Sequence, residues 1–387
     1  MSADRFIARK LKFQGNLAAV SIAVSFLVII VAVAVSSGFR HSVRDGVSTL
    51  TGDVRIARST AFASEGDTPI PAKLPSEEEL LAIPGVQSIR PVAVRAGIVR
   101  SGDVIHGILV KGLPDRPDSA LCVSIPTRLA AITGLKEGDD MTTYFIGEKV
   151  RVRRFHVTEV HRDMLELDDN LVVYANLDDI RRLNGWGEDD ASALEVTVAP
   201  AFRSNLLVND LTDEIGMRLL LSGEESEEDL VATSSVRSYP QIFDWLDLLD
   251  FNVLVILVLM IVVAGFNMIS GLLILILERT RLIGLLKSMG ADNASVRRIF
   301  VWLSAMLIGK GLVWGNVLGL GLCALQYFFH ILPLDPSVYY VSSVPIEFNW
   351  GYIVLVNVGT VAASLLMMLL PTMLVSRIVP VKAIRFE

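Results

Sequence analysis

The chain has 387 residues, of which 52% are hydrophobic and 20% are charged, and its formal net charge at neutral pH is −7. Soluble domains are about 45–50% apolar. The apolar excess here is concentrated in a few long blocks, which is typical of membrane proteins. The acidic balance argues against a nucleic-acid partner, because nucleic-acid-binding domains carry basic patches.

Four apolar blocks are long enough to cross a bilayer, for which a helix needs about 20 residues. They predict transmembrane helices over residues 17–37, 251–277, 299–329 and 351–375. The fold class that follows is an integral α-helical membrane protein with four transmembrane helices. A large extracytoplasmic domain of mixed α+β structure, residues 38–250, is expected between helices 1 and 2.

The first apolar block follows a basic segment, residues 1–16, as the core of a secretion signal would. Its apolar run from Leu17 to Val35 has 19 residues. Signal-peptide cores have about 7–15. We therefore expect a retained membrane anchor.

The distribution of basic residues predicts the orientation of the chain, because cytoplasmic loops are enriched in Lys and Arg. The 330–350 loop contains none, and residues 40–250 have a net charge of −14 against +7 for the remainder. We therefore expect both termini, residues 1–16 and 376–387, and the 278–298 loop to be cytoplasmic. The basic residues in these segments are Arg5, Arg9, Lys10, Lys12, Arg279, Arg281, Lys287, Arg297, Arg298, Arg377, Lys382 and Arg385.

The 38–250 segment is expected to fold around its own core, since about 210 residues suffice for one and its single cysteine, Cys122, has no partner there. Runs rich in β-branched residues predict strands. Capping and stop signals predict helices, and the acidic run 222–230 predicts a solvated loop. The predicted strands are 54–58, 87–100, 106–112, 153–161, 170–176 and 193–199, and the predicted helices are 76–83, 126–135, 177–185 and 202–221.

Residues 239–250 predict an amphipathic helix that leads directly into the second span, with Ile242, either Trp245 or Leu246, and Leu249 on one face. One interpretation is an interfacial segment anchored by Trp245. The other is a rigid stalk between the external domain and the membrane. We favour the stalk, because nothing after Pro240 breaks the helix.

The third span contains Gly311, Gly315 and Gly319, spaced four apart. Such a stripe lets another helix approach closely, although glycines also occur on lipid-facing surfaces. Lys310 lies in the same span, where a charge costs about 2.5–3.5 kcal/mol on insertion scales. It either snorkels to the cytoplasmic interface or makes a polar contact within the bundle. Asn267 is a further polar residue, in the second span.

The sequence contains none of the common motifs for nucleotide binding, metal binding or hydrolysis. It has no phosphate-binding loop of the G-x-x-x-x-G-K-[ST] type and no zinc or serine-hydrolase motif. His156 and His161 are expected on opposite faces of a strand, which argues against a metal site. The spans also contain no carboxylates, which an ion-driven carrier would typically need. We expect no catalytic residue, no metal and no cofactor in this chain, so any energy must come from a partner.

The 278–298 loop predicts a short helix with an apolar face. Leu282, Leu285, Leu286 and Met289 fall on that face, and Gly290 is placed to end the helix. Asp292 can then cap the next helix. The helix either lies on the inner leaflet or docks into a groove of a cytosolic protein.

The same loop contains the pattern E-R-x-x-x-I-x-x-L-(K/R)-x-x-G-A. By this pattern the chain resembles the ABC-transporter permeases of the lipoprotein-releasing (LolC/LolE) and macrolide-exporter (MacB) type, in the MacB/FtsX superfamily. In that family the motif forms a coupling helix that fits a cleft in a separate nucleotide-binding subunit. The resemblance implies coupling roles for Glu278, Arg279, Arg281, Leu282, Leu285, Leu286, Met289, Gly290 and Ala291.

Further blocks resemble the lipoprotein-releasing branch in particular, above all the loop before the fourth span. These blocks are 6–10, 83–91, 108–112, 128–139, 155–160, 170–183, 333–350 and 380–385. The chain also departs from the family. Residues 144–154 lack the proline-flanked loop that receives a periplasmic carrier in one paralogue. Residues 161–169 replace a glycine-rich stretch. Whether this chain or a partner subunit docks the carrier therefore stays open.

The resemblance implies an assembly in the bacterial inner membrane. It contains an ABC ATPase dimer, which binds ATP and Mg²⁺, and a second permease, identical or paralogous. A lipoprotein substrate would enter sideways from the outer leaflet, among membrane lipids, and leave into the periplasm by mechanotransmission. A periplasmic carrier is a further candidate partner. Candidate residues of the substrate cavity are Ile29, Val33, Phe39, Phe251 and Leu254.

Two alternative functions remain. One is export of drugs or peptides, as in the macrolide exporter. The other is a non-transporting regulator of a cell-wall hydrolase, as in the FtsX-type cell-division permease. That family has a smaller external domain, and the 333–350 block also argues against this regulator.

Overall fold

A computed structural model describes residues 16–58, 68–101, 104–115, 120–147, 150–161, 171–278 and 280–368. The chain divides into two compact units. The membrane unit comprises residues 1–41, 246–333 and 343–387, and the sheet unit comprises residues 42–245 and 334–342. Several sequence predictions lie outside the described residues: the segment 1–15, Arg279, the stretch 162–170 and the tail 376–387.

Eleven α-helices are found in the described residues. In chain order they are α1 (Asn16–Thr51), α2 (Glu77–Leu81), α3 (Thr127–Thr133), α4 (Leu177–Asn184), α5 (Asn205–Leu221), α6 (Ser235–Ser238), α7 (Pro240–Glu278), α8 (Thr280–Ser288), α9 (Asn293–Phe329), α10 (Pro336–Tyr339) and α11 (Trp350–Met367). Within the described ranges, α1, α7, α9 and α11 are long and apolar enough to cross a bilayer. The prediction of four transmembrane helices is thus confirmed.

Helices α1 and α7 are longer than the spans predicted from their apolar blocks. Helix α1 continues to Thr51, well past residue 37, and α7 begins at Pro240. With 39 residues, α7 is roughly 58 Å long at about 1.5 Å per residue. The hydrocarbon core is only about 30 Å thick. Helix α7 is therefore longer than a membrane span requires. Both α1 and α7 include residues of both units. The membrane boundaries at residues 37 and 251 remain predictions.

The core of the membrane unit is formed by side chains from all four long helices and from α8. Helix α1 contributes to this core through its N-terminal half, and α8 contributes a single isoleucine. The buried members are Ile22, Phe26, Met268, Ile276, Ile283, Val296, Phe300, Leu303, Ile308 and Met368.

The sheet unit contains eleven strands in the described residues: β1 (Val54–Arg58), β2 (Ile70–Pro71), β3 (Val86–Ser101), β4 (Val104–Leu113), β5 (Cys122–Pro126), β6 (Asp140–Phe145), β7 (Arg151–His161), β8 (Leu171–Asn176), β9 (Asp190–Ala191), β10 (Ala193–Val198) and β11 (Leu230–Ser234). Nine form one sheet in the order β11-β1-β10-β3-β4-β8-β5-β7-β6, and β2 pairs with β9. This is the mixed α and β structure expected between the first two transmembrane helices.

The large sheet closes partly on itself. Strand β6 at its far end pairs with β3 through Ile98 and Val99, so the strands from β3 to β6 surround one apolar core. That core includes Val110, Phe145 and Phe155. A second core lies between β1, β10 and helix α5. Strands β4 and β8 are parallel, as are β5 and β7, and the remaining pairs are antiparallel.

Local signals account for several helix ends. Asn176 caps α4 by accepting a hydrogen bond from the Asp178 N–H at 2.9 Å, and Gly185 ends that helix with φ +80°. The helix predicted from residue 202 begins later, at Asn205. Ser204 accepts from the Leu207 N–H at 3.2 Å and so sets the start.

Two predictions for the sheet unit were wrong in detail. Strands β2, β5, β6, β9 and β11 were missed. All five are short, and the first four contain a proline or an acidic residue, which weakens the strand signal. The acidic run 222–230 is not solvated throughout, since Glu227 is 1% exposed. Its Oε1 accepts hydrogen bonds from the Ser76 N–H at 3.0 Å and the Ser76 hydroxyl at 2.8 Å. Ser76 is at the N-cap position of α2, and its side chain makes no capping hydrogen bond there.

Candidate coupling site

Helix α8 follows the second long helix after a tight connection. The Thr280 hydroxyl donates to the Ile276 carbonyl at 3.1 Å and to the Leu277 carbonyl at 2.7 Å. At its other end the Gly290 N–H donates to the Lys287 carbonyl at 3.1 Å. Gly290 has φ +93°, a left-handed conformation that glycine adopts without strain. Both ends of α8 are thus fixed by local hydrogen bonds.

The two sides of α8 differ in burial. Ile283 is 1% exposed and packs in the membrane-unit core with Ile276 and Val296. Leu285 is 53% exposed and Met289 is 76% exposed. Ile283 therefore holds the helix in place. Leu285 in α8 and Met289 directly after it present an apolar surface that is exposed among the described residues.

The other residues predicted for the site differ in exposure. Leu282 and Ala291 are half-buried, whereas Glu278, Arg281 and Gly290 are exposed. Arg279 and the side chain of Leu286 lie outside what the structure describes. Sequence reasoning did not single out Ile283. On a helical projection Ile283 lies opposite Leu285, and this difference could have distinguished the packed face of α8 from its exposed face.

Asp292 begins the next helix. Its Oδ1 accepts a hydrogen bond from the Ser295 N–H at 2.9 Å, which makes it the N-cap of α9. Hydrogen bonds from the Ser295 side chain and backbone hold the pKa of the Asp292 carboxyl below its ordinary value of 3.8. The cap therefore contributes stability above that value.

Replacing Asp292 by Ala should loosen the start of α9, because the first amides of the helix lose their acceptor. We expect several-fold faster hydrogen exchange at residues 293–296, with little change in the Asp292→Asn control, which keeps a capping oxygen. In the unaltered chain the same loosening should develop as the pH falls below the depressed folded pKa. Equal exchange in the Ala and Asn variants would show that the cap has no role.

The glycine stripe of α9 lies against α1. A Cβ built on Gly315 would lie 2.7 Å from the carbonyl oxygen of Ala23, and one on Gly311 would overlap the side chain of Ile22. A Cβ on Gly319 would lie 3.2 Å from the Cβ of Ile30. Helix α1 therefore packs directly on this stripe, and it approaches Gly311 and Gly315 more closely than Gly319.

We expect Gly315→Ala to destabilise the helix pair by about 1–3 kcal/mol, because backbone atoms must move. Gly319→Ala should be close to neutral, since its neighbour must move only slightly and alanine favours helix by about 1 kcal/mol. Gly321→Ala is the matched control, because its Cβ would meet nothing within 4 Å. Unfolding in mixed micelles measures the three variants, and an equal loss in all would contradict close packing at Gly315.

The two intramembrane polar residues differ in their surroundings. The Asn267 amide donates to the Ser21 hydroxyl, which joins α7 to α1. Lys310 is exposed on α9, as a side chain that reaches toward an interface would be. A reciprocal amide pair not singled out from the sequence joins α9 to α11, where Asn316 and Asn357 each donate to the other at 2.9–3.0 Å.

The five candidate residues of the substrate cavity do not share one environment. Ile29 and Phe39 are buried by the chain itself, and Val33 is half-buried. Phe251 and Leu254 are exposed on α7. In this conformation only the last two offer a fully accessible apolar surface.

A polar cluster joins α1 to α7 near these residues. Ser36 donates to Asp250 at 2.6 Å, and Arg40 pairs with Asp250 and, at 3.2 Å, with Asp247. The neighbouring Ser37 donates to Glu347 at 2.6 Å, which ties in the loop before α11. Hydrogen bonds and ion pairs thus hold together α1, α7 and the loop before α11.

In the sheet unit, the end of α1 is capped by a buried lysine that the sequence did not reveal. Lys111 Nζ lies 2.7 Å from the Leu50 carbonyl oxygen and 3.2 Å from that of Thr49. It also lies 2.6 Å from Glu195 Oε1, and Arg90 pairs with the other oxygen of Glu195 at 2.9 Å. A cation at a helix C-terminus is favourable, so this chain of charges fastens α1 to the sheet.

Burial lowers the pKa of Lys111, while Glu195 acts in the opposite direction and Arg90 and Arg55 add to the lowering. The two histidines of β7 have separate partners. His156 lies 3.2 Å from Asp140, and His161 lies 2.8 Å from Ser124. Within the described residues no group of three His, Cys, Asp or Glu side chains is placed to hold a metal ion.

Comparison with known proteins gives consistent matches. Residues 254–380, which include α8 and α9, match the family model described as FtsX-like permease C-terminal. The lipoprotein-releasing system transmembrane protein LolC of Xylella fastidiosa is 22% identical, and that of Neisseria meningitidis is 26% identical. Each alignment covers 95% of this chain and 92% of the relative. The solved periplasmic region of MacB from Actinobacillus actinomycetemcomitans is 18% identical and covers 49% of this chain and 91% of its own, with a TM-score of 0.32.

The chain is therefore similar, over nearly its whole length, to permease subunits of ABC transporters, which are multi-pass membrane proteins and are not themselves enzymes. It carries an FtsX-like permease domain, and its resemblance to lipoprotein-releasing permeases of the LolC/LolE type is confirmed over nearly its whole length.

Proposed function

We propose that this permease extracts lipoproteins from the outer leaflet of the bacterial inner membrane and releases them into the periplasm, driven by a separate ATPase. The observation that carries the proposal is the similarity to two LolC proteins along 95% of the chain. A match confined to the FtsX-like domain would suit any branch of the superfamily. The match across the extracytoplasmic domain is what favours lipoprotein release.

The exposed side of α8 supports docking of an ATPase. Leu285 and Met289 present an apolar surface next to Arg281, and Ile283 connects the same helix to the core of the membrane unit. Motion of an ATPase bound to the exposed side would thus be transmitted through an intact α8 to the packed helices. ATP and Mg²⁺ would be bound by an ATPase dimer, and this chain would contribute no cofactor.

The polar cluster of Ser36, Arg40, Asp247 and Asp250 supports a route between two permease copies. Because it holds α1 to α7 within one chain, the substrate would more readily pass between α1 of one copy and α7 of another. The exposed Phe251 and Leu254 then supply apolar surface for acyl chains. The second copy is identical or paralogous.

The proposal can be tested by purifying the chain in mild detergent and identifying the proteins and lipopeptides that accompany it. We expect an ABC ATPase, a permease and triacylated lipopeptide by mass spectrometry. Proteoliposomes that contain the complex should then release a lipoprotein to a soluble carrier only when ATP is added. Recovery of a cell-wall hydrolase without lipopeptide would instead support the FtsX-like regulator and contradict lipoprotein release.

A further inference from the structure

Helix α5 of the sheet unit carries large apolar side chains on the side that faces away from the sheet. A surface helix usually presents polar and charged residues there, and clustered exposed apolar groups mark interaction sites. The side that packs on the sheet contains Val208, Leu211, Ile215 and Leu219. The outer side contains Leu206, Leu207, Met217, Leu220 and Leu221, which are between 40% and 78% exposed. Both sides of α5 are thus apolar, and only one of them is covered.

The exposed apolar side chains are concentrated at the C-terminal end of α5. Met217 is followed by Leu220 and Leu221, and residues three and four positions apart are neighbours on a helix surface. Leu206 lies on the same side near the start of the helix. The stretch from Leu206 to Leu221 is about 22 Å long at about 1.5 Å per residue. The outer side of α5 is therefore long enough to contact several turns of another helix.

Acidic residues surround this apolar surface. Residues 205–230 contain eight acidic residues and one basic residue, a net charge of −7, which is half of the −14 of residues 40–250. Three of the eight have partners: Asp213 pairs with Arg237, Glu214 pairs with Arg218, and the buried Glu227 binds Ser76. The other five are exposed and form no ion pair with any residue that the structure describes. They are Asp210, Glu224, Glu225, Glu228 and Asp229.

These charges decide which kind of partner the surface fits. A second copy of the chain, placed with its α5 against this one, would bring like charges together, which is unfavourable. An anionic membrane surface would be repelled in the same way. The C-terminal end of a helix also carries partial negative charge, and the apolar end of α5 is its C-terminal end. A partner with basic residues around an apolar centre is complementary in both respects.

We propose that the outer side of α5 binds a basic amphipathic helix of another protein. The apolar face of that helix covers Met217, Leu220 and Leu221, and its Lys and Arg side chains lie beside Asp210 and the carboxylates of residues 224–229. Amphipathic helices are commonly recognised through their apolar face, and the surrounding charges set the association rate and the choice of partner. The proposal goes beyond lipoprotein release and does not depend on it.

The test uses the full chain in phosphatidylcholine nanodiscs, with empty nanodiscs as the blank. The probe is a synthetic helical peptide of leucine and lysine in amphipathic order. One control peptide has the same composition in scrambled order, and another has glutamate in place of lysine. We expect saturable binding of one probe per chain that weakens as salt is added. The scrambled peptide should bind about tenfold more weakly or worse, and the glutamate peptide should not bind above the blank.

Paired variants separate the apolar contribution from the charge. Leu220→Gln with Leu221→Gln should weaken binding about tenfold or more, because central apolar groups dominate such interfaces. Its control is Ile146→Gln, which removes a side chain that is 63% exposed outside α5. Glu224→Gln with Glu225→Gln should slow association and reduce the salt dependence. The matched control is Glu188→Gln with Asp189→Asn, an exposed acidic pair in the loop before β9.

A single thiol at Leu221 distinguishes the other possible occupants. In a chain with Cys122→Ser and Cys323→Ala, Leu221→Cys should react with a water-soluble maleimide equally fast in membranes and in detergent. It should form no disulfide-linked dimer under oxidising conditions. Slow labelling in membranes alone would assign the surface to lipid, and a disulfide-linked dimer would assign it to a second copy. Either result would overturn the proposal, as would undiminished probe binding to the Leu220→Gln, Leu221→Gln variant or no binding above the blank.

Discussion

Replacing Leu285 and Met289 together by Asp should abolish productive docking of the ATPase. The two side chains are the most exposed apolar groups described in α8 and the turn that follows it. Two carboxylates in an apolar interface would be desolvated without partners. Truncation of central interface residues costs about 2 kcal/mol or more, which corresponds to roughly a 30-fold loss of affinity. We expect at least that loss in ATPase recruitment, measured by co-purification and by permease-stimulated ATP hydrolysis.

The matched control exchanges the two residues, as Leu285→Met with Met289→Leu, and keeps size and hydrophobicity nearly constant. It should retain recruitment. Ile283→Ala provides a contrast, because Ile283 is buried in the membrane-unit core. This variant should lower the stability of the chain by about 2–5 kcal/mol, as large-to-small core changes do. If the double Asp variant still recruits the ATPase and supports transport, α8 is not the coupling element.

Replacing Glu195 by Gln should be the most destabilising polar change in the sheet unit. Glu195 and Lys111 are both 2% exposed, and removal of one partner leaves a buried charge uncompensated, at a cost of about 3–5 kcal/mol. The end of α1 should loosen as well, since Lys111 caps it. Native-state hydrogen exchange at β10 and at residues 48–52 would show the loss as a smaller opening free energy.

The same variant should have a distinctive pH dependence. Because the folded pKa of Lys111 lies below its ordinary value of 10.5, the unfolded chain binds more protons than the folded chain, and stability rises with pH up to that value. Without Glu195 the pKa falls further, so the Glu195→Gln defect should shrink as the pH is raised from 7 toward 10. A defect that is constant over this range would contradict a buried ammonium as its cause.

Asp213→Asn is the control for this experiment. It removes a carboxylate from a two-point pair with Arg237, with Nη–Oδ distances of 2.6 and 2.8 Å. Asp213 is exposed, and exposed ion pairs contribute little to stability because water screens them. No measurable change in β10 protection is expected.

The sequence determined the elements whose signals are local. Long apolar blocks predicted the four transmembrane helices, because a span requires about 20 consecutive apolar residues. Alternating β-branched runs predicted strands such as 54–58, which the structure reproduces residue for residue. Gly290 and Asp292 were predicted to end one helix and begin the next, because backbone conformation and capping depend on immediate neighbours.

The tertiary structure decided which residues meet across the chain. Periodicity placed Leu282 with Leu285, but only packing against Ile276 and Val296 shows that Ile283 faces inward. The pairing of Lys111 with Glu195 joins strands that are 84 positions apart, and no local pattern encodes such a contact. The pairing of β6 with β3 likewise depends on the order of the strands in the sheet. The hydrophobic pattern of a sequence indicates which face of each helix or strand is buried. Which buried faces contact one another is determined only by the tertiary structure.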